Sequence, residues 1–246
     1  FGTVSIRQII SKVQDNSTFL SELIWREFFM QILYHFPQVV DSNFKKKYDH
    51  IKWRNDPNEF EKWKEGKTGY PIVDAGMREL YNTGWMHNRV RMIVGSFLVK
   101  HLVINWKEGE KYFKNCLLDF CAASNVGGWQ WVAGSGADAA PYFRIFNPIL
   151  QGEKFDKDGE YVKKWVPELK NISRKFIHKP WEFISDKNFK LGRDCPFPIV
   201  NHEEARAKAL NAFKLISSIT ITNTVLTFFS RSTRAFFISA NFFFFF

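Results

Sequence analysis

The sequence predicts an all-α protein, a multi-helix domain without a sheet. Apolar residues recur with helical spacing in successive segments, and helix-starting and helix-ending residues stand at the ends of these segments. No alternating strand pattern and no strand–helix–strand rhythm appears before residue 215. At 246 residues and 45% hydrophobic content, the chain has enough apolar surface to bury a sizeable core.

The first predicted helix covers residues 15–36, where Asp15 to Ser17 can cap the start and Pro37 ends it. A second, over residues 56–65, has a capping aspartate followed by proline at the first helical position. Four more helices are predicted over residues 72–83, 86–104, 109–123 and 201–214.

Two segments interrupt this helical pattern. Residues 124–138 are rich in Gly and Ser and predict a turn region, where a ligand could approach the backbone. Residues 150–200 carry many Pro, Gly and Lys residues and predict loops with short helices.

The composition divides the chain into a helical domain over residues 1–214 and a different segment over 215–246. That segment contains two arginines as its only charges, no Gly or Pro, and a run of five phenylalanines at its end. Such a composition is typical of aggregation-prone sequence. We expect it to lie outside the fold, and our hypothesis is a reading-frame or splice error after about Lys214. A membrane anchor is the alternative, but its two arginines would make insertion costly.

The net charge of +10 favours a polyanionic partner such as nucleic acid, although a solvated basic surface is the plainer interpretation. The three cysteines form no pairing pattern, which favours a reducing intracellular compartment. No apolar stretch approaches the ~20 residues that span a bilayer, and the histidines lack metal-ligand spacing. We therefore expect no membrane partner and no metal. We also expect a monomer.

Three segments combine aromatic side chains with cationic and hydrogen-bonding groups: residues 19–28, 85–92 and 117–131. Tryptophan offers a flat face for stacking and an indole that is easily oxidised, arginine pairs with phosphate, and asparagine can address the edge of a heterocycle. On the first helix, Glu22 and Arg26 share one side, with Trp25 at its border. Taken singly, residues 19–28 would be interpreted as an ordinary amphipathic helix, residues 85–92 as a basic helix start, and each tryptophan of 117–131 as a core residue.

Together with the segment Thr-Gly-Tyr-Pro-Ile-Val-Asp-Ala-Gly-Met-Arg-Glu-Leu at 68–80, these motifs resemble the FAD-binding half of class I cyclobutane-dimer DNA photolyases over roughly residues 1–214. The resemblance implies FAD, active in its reduced anionic form, and damaged DNA containing pyrimidine dimers, repaired with light. It also implies that the chain starts after the family's α/β antenna domain and after the Ser/Thr-rich loop that binds the FAD pyrophosphate. Without that loop, flavin affinity would fall, because each lost charge-assisted hydrogen bond contributes ~1.5–3 kcal/mol.

The resemblance also implies roles for individual residues. The flavin side comprises Phe19, Glu22, Arg26, Arg91, Asp119, Phe120, Cys121 and Asn125. The lesion and DNA side comprises Glu22, Trp25, Arg26, Asn88, Arg89, Met92, Trp131 and Arg144. Electron transfer is expected to use Trp129 nearest the flavin, Trp106 in the middle and Trp53 at the surface.

Specific positions favour one branch of the family. Enzymes that repair (6-4) photoproducts carry histidines where this chain has Asn88-Arg89, and cryptochromes carry Asp or Cys in place of Asn125. Two positions depart from the pattern. Cys121 stands where photolyases have an aspartate that helps hold the flavin, and Phe19 stands where some members have Trp.

Two alternatives remain at this point. A cryptochrome-like photoreceptor would use the same flavin and tryptophan relay for signalling. A remnant without cofactor would keep the helical fold and could still bind DNA.

Overall fold

The computed structural model describes residues 3–183 and 189–223. Regular structure in these residues is helical, apart from an isolated bridge between Leu191 and Cys195. The predicted all-α class is therefore confirmed. The helices of this part of the chain are α1 (Ile6–Lys12), α2 (Ser17–His35), α3 (Pro57–Lys64), α4 (Pro71–Thr83), α5 (Asn88–Ser96), α6 (Trp106–Cys116), α7 (Ala122–Ala133), α8 (Pro148–Phe155), α9 (Glu160–Trp165) and α10 (His202–Asn223). Short 3-10 turns cover Pro37–Val40, Lys46–His50, Pro167–Leu169 and Pro180–Glu182.

Helices α2, α3 and α4 begin and end within two residues of their predicted bounds. Their starts follow the capping chemistry of the sequence: the Asn16 side chain accepts a hydrogen bond from the Phe19 N–H, and Asp56 accepts two at the start of α3. The helix predicted over 86–104 starts at Asn88 and finishes in a π-helical turn, Phe97–His101.

The prediction was wrong for residues 109–138. Instead of one helix to residue 123 and a turn region after it, the chain forms α6, a short connection and then α7. Gly127 was interpreted as a turn residue, but it serves close helix packing: a Cβ placed there would lie 2.1 Å from the ring of Phe29 on α2. The turn comes only at Gly134, whose φ of +85° favours glycine.

Large aromatic side chains form the centre of the core. The rings of Trp63 and Phe113 stack at 6.2 Å, and Trp129 contacts Phe113 edge-on at 5.0 Å. Helix α7 packs against α2, α5 and α6, while α9 packs against α4. Helix α7 therefore connects the segments that carry the three motifs.

The last helix is longer than predicted. Helix α10 runs to Asn223 rather than ending at 214, and it buries Ala205, Ala209, Phe213 and Ile216 on its inner side. The predicted domain boundary after Lys214 thus falls inside a helix. The remainder of the 215–246 segment, from residue 224, lies outside the described residues. None of the helices described is long and apolar enough to cross a membrane.

Candidate functional site

An ion pair joins α5 to the connection between α6 and α7. The buried guanidinium of Arg91 donates from Nη2 to both carboxylate oxygens of Asp119, at 3.0 and 2.8 Å. Its Nε donates to the carbonyl of Met86 at 2.7 Å. The neighbouring Leu118 N–H donates to the Gly84 carbonyl, so the connection is fixed at two points. The Arg91–Asp119 pair expected from the sequence is present.

Among residues 3–183 and 189–223, three candidate site residues have a buried oxygen without a hydrogen-bond partner: Glu22 Oε2, Asn88 Oδ1 and Asn125 Oδ1. They belong to α2, α5 and α7, and α7 packs against both of the other helices. A buried acceptor without a donor costs about 1–3 kcal/mol. The arrangement therefore suits a ligand that brings N–H groups, as a flavin or a pyrimidine does.

The amide of Asn125 is oriented by Glu110, a residue that sequence analysis missed. Asn125 Nδ2 donates to the Glu110 carbonyl at 3.1 Å and to its carboxylate at 2.8 Å. Burial raises the pKa of Glu110. Because both amide hydrogens point towards Glu110, Asn125 is left with its oxygen for a ligand. Nothing in the spacing of α6 indicated this contact.

Glu22 is buried, and none of the ion pairs in the described part of the chain involves it; burial raises its pKa to about 7. Near neutral pH the carboxyl group is therefore shared between its neutral and charged forms, and it can donate or accept a hydrogen bond. Trp25, one turn away, is half-buried and packs edge-on against Phe28 at 5.5 Å. Arg26 is half-buried, and Phe19 is exposed at the start of the helix.

The residues expected on the DNA side differ in exposure. Arg144 is exposed, and the half-buried guanidinium of Arg89 lies 4.6 Å above the ring of Phe155 on α8. Met92 and Trp131 are buried, so a ligand would reach them only inside the protein. A ligand at the surface could therefore reach Arg89 and Arg144, but not Met92 and Trp131.

Helix α8 adds a second residue that sequence analysis missed. Gln151, one turn before Phe155, has a buried Oε1 that finds no hydrogen-bond partner among the residues the structure describes. A single glutamine in a segment rich in Pro, Gly and Lys carries no recognisable signal. Its position near the Arg89–Phe155 contact makes it a candidate ligand contact.

The three tryptophans expected to form an electron relay differ in exposure. Trp129 is 0% and Trp106 1% exposed, and Trp53 is half-buried. The indole of Trp129 lies against Gly109, one turn after Trp106 on α6. The segment of Trp53 borders the start of α6, because the Asn55 side chain accepts a hydrogen bond from the Asn105 N–H at 2.8 Å.

The indoles of Trp106 and Trp129 each make a specific contact. Trp106 Nε1 donates to Asn43 Oδ1 at 3.0 Å, and Asn43 Nδ2 donates to Asp49 at 2.6 Å. Trp63, which was not predicted as a site residue, meets Trp129 edge-on at 6.2 Å.

Cys121 occupies the N-cap position of α7. Its backbone is extended, as an N-cap requires, but its free thiol makes no capping hydrogen bond. Phe120 beside it packs against the core. The start of α7, where the family resemblance led us to expect an aspartate, therefore has no side-chain acceptor at its N-cap.

Comparison with known proteins gives consistent matches. The family described as the FAD binding domain of DNA photolyase matches residues 19–215. A deoxyribodipyrimidine photo-lyase of Agrobacterium fabrum is 54% identical over 210 residues, covering 84% of this chain and 44% of that protein. The protein of the same name from Escherichia coli is 51% identical over 199 residues, covering 80% and 42%.

Solved structures agree. A bacterial class III photolyase from Agrobacterium tumefaciens superposes with a TM-score of 0.81 at 53% identity, covering 85% of this chain and 45% of that one. A cryptochrome of Synechocystis gives 0.77 at 36% identity, covering 84% and 45%. The chain thus spans less than half the length of these relatives. Because the match covers most of its residues, the chain belongs to the family of FAD-binding domains of DNA photolyases.

Proposed function

We propose that this chain is the flavin- and DNA-binding part of an enzyme that uses light to split cyclobutane pyrimidine dimers. The observation that carries the proposal is the set of buried oxygens on Glu22, Asn88 and Asn125 that no group in the described residues satisfies. Asn88 shares α5 with Arg91, and the connection that carries Asp119 leads into α7, the helix of Asn125. These acceptors fit the N–H groups of an isoalloxazine and of a pyrimidine pair. Whole relatives of matching sequence are named deoxyribodipyrimidine photo-lyases.

Arg91, Asp119 and Asn125 would hold the flavin ring, with Phe120, Cys121, Phe19 and Arg26 around it. When bound in its reduced anionic form, FAD supplies a light-driven electron. Three oxidisable indoles lead from a half-buried position to the core: Trp53, Trp106 and Trp129.

On the substrate side, Glu22 would hydrogen-bond the pyrimidine edge, and its raised pKa lets it donate to a carbonyl near neutral pH. Trp25 and Trp131 would pack against the dimer, with Asn88 and Met92 in contact with it. Photolyases are known base-flipping enzymes, so the dimer would leave the duplex before it reaches these interior residues. Arg89 and Arg144 would contact DNA.

Asn88-Arg89 and Asn125 support the cyclobutane-dimer branch. The class I assignment remains a prediction, since one solved relative is a class III photolyase. The three free cysteines support a reducing compartment. We also propose a monomer.

A photoreceptor function is the second candidate, supported by the likeness to the Synechocystis cryptochrome. The test is to purify the chain, supply FAD and a reductant, and illuminate it with an ultraviolet-irradiated duplex. Flavin absorption bands with light-dependent loss of dimers are expected. Flavin photoreduction without repair would favour the photoreceptor, and a chain that retains no flavin would be a remnant. The Trp25→Ala variant should bind flavin but lose its preference for damaged DNA.

A further inference from the structure

A run of three lysines, Lys45 to Lys47, follows the 3-10 turn after α2. Lys46 and Lys47 are exposed, and Lys45 is half-buried. Within residues 3–183 and 189–223, none of the three forms an ion pair with a carboxylate. The ammonium of Lys46 donates to the Ser42 hydroxyl at 2.5 Å, and that of Lys47 lies 5.1 Å from the Tyr48 ring. The positive charges of Lys46 and Lys47 are therefore available to an anion.

Nearby carboxylates compensate this charge only in part. Asp49 accepts two hydrogen bonds from Asn43, at 2.8 and 2.6 Å, which hold it against the protein. Asp138 acts on Lys45, where its charge opposes the lowering of the lysine pKa by burial and by Lys47. The two exposed lysines therefore remain the strongest anion-binding groups of this segment.

The segment that carries the lysines is fixed to the end of α7. Gln130, 2% exposed, accepts the Phe44 N–H at 2.8 Å and donates to the carbonyls of Val39 and Ser42 at 2.8 and 3.1 Å. The Lys45 N–H donates to the Ser135 carbonyl at 2.9 Å. This attachment fixes the backbone from which the three lysine side chains extend.

This attachment point adjoins the proposed substrate face. Gln130 directly precedes Trp131, and Ser135 lies in the loop that leads on to Arg144. Resting on the proposed function, we infer that Lys46 and Lys47 bind backbone phosphates of the DNA strand that flanks the dimer. Gln130 acts as a positioning residue, since it ties the lysine run to the helix of the tryptophans.

The test is the salt dependence of DNA binding by the full chain, for a dimer-containing duplex and its undamaged copy. Each phosphate contact contributes about 0.9 to the slope of log K against log salt concentration. We expect Lys46→Gln/Lys47→Gln to lower that slope by about 1–2 and to weaken binding at low salt by about tenfold or more, equally for both duplexes. The matched control is Lys62→Gln/Lys164→Gln, which removes two exposed lysines from α3 and α9. Arginine at positions 46 and 47 should restore the slope.

The inference is overturned if the double glutamine variant, with an unchanged melting temperature, keeps the wild-type slope, or if the control lowers it equally. Failure of the proposed function would give another result. The wild-type protein would then show no preference for the damaged duplex, while the double glutamine substitution would still lower the salt slope.

Discussion

The indole of Trp129 lies so close to Gly109 that a Cβ built on this glycine would come within 2.2 Å of the indole Cη2. The same indole also borders Gly95 on α5, but there the built Cβ would lie at 3.5 Å, an ordinary contact. Two glycines thus face one tryptophan with different tolerance for a methyl group. Gly109 sets the distance between α6 and the proposed inner end of the electron relay.

We expect Gly109→Ala to destabilise the protein by about 1–3 kcal/mol, because an overpacked core forces side chains from their preferred positions. Gly95→Ala should be neutral or stabilise by up to about 1 kcal/mol, since alanine favours a helix. Urea unfolding of the two variants checks this, and equal changes for both would contradict the packing argument. Flavin photoreduction should slow only in Gly109→Ala.

The missing cap on α7 gives a second prediction. Cys121→Asp should raise the free energy of unfolding by about 1 kcal/mol at pH 7, because the carboxylate can accept the free N–H groups of the first turn. The variant should also retain more flavin during gel filtration. Cys121→Ala is the control and should leave stability unchanged. A gain in the alanine variant would show that removal of the thiol, rather than capping, is responsible.

The buried carboxyl of Glu22 predicts an unusual dependence of stability on pH. Its pKa is raised from 4.5 to about 7, so the folded state binds the proton more tightly than the unfolded state. This contribution is fully present below pH 4.5 and is lost as pH rises through about 7. Glu22→Gln should therefore match the wild type near pH 4.5 and exceed it at pH 8 by roughly 1–3 kcal/mol.

Urea unfolding at the two pH values measures this difference. Glu27→Gln, which changes an exposed carboxylate on the same helix, should show no such dependence. Parallel stability curves for wild type and Glu22→Gln would disprove the account of Glu22.

The docking of α10 predicts acid sensitivity of the opposite sign. His101 Nε2 and His202 Nδ1 lie 2.8 Å apart, and burial, followed by the charge of His202, lowers the pKa of His101 from 6.5 to about 3. The unfolded state then binds more protons, so this contribution is present above pH 6.5 and is lost as pH falls towards 3. At pH 8 the His101→Gln variant should be less stable than the wild type by about 0.5–1.5 kcal/mol. Between pH 8 and pH 5, however, its free energy of unfolding should fall less than that of the wild type.

Hydrogen exchange of the α10 amides at pH 5 and pH 8 measures the acid-induced loss of α10 docking directly. The control is His50→Gln, which changes an exposed histidine. If α10 exchanges at the same rate at both pH values in the wild type, after correction for intrinsic rates, the histidine pair does not govern its docking.

Sequence patterns predicted α2, α3 and α4 well, because their starts and ends are marked by capping residues, prolines and a terminal glycine that act locally. The pairing of Arg91 with Asp119 was expected only through the family resemblance. The same local logic failed for α7, because Gly127 was judged as a turn residue. Its role depends on Phe29, almost a hundred residues earlier in the chain.

The sequence by itself determined the helical class, the order of most helices and the residue types on which the proposed flavin and pyrimidine-dimer sites rest. Only the tertiary structure decided which of their atoms remain unsatisfied. Glu110 uses the amide hydrogens of Asn125, and Gln130 fixes the lysine run beside Trp131. Such partners are far apart in the chain and show no periodicity, because they are selected by the packing of helices against one another.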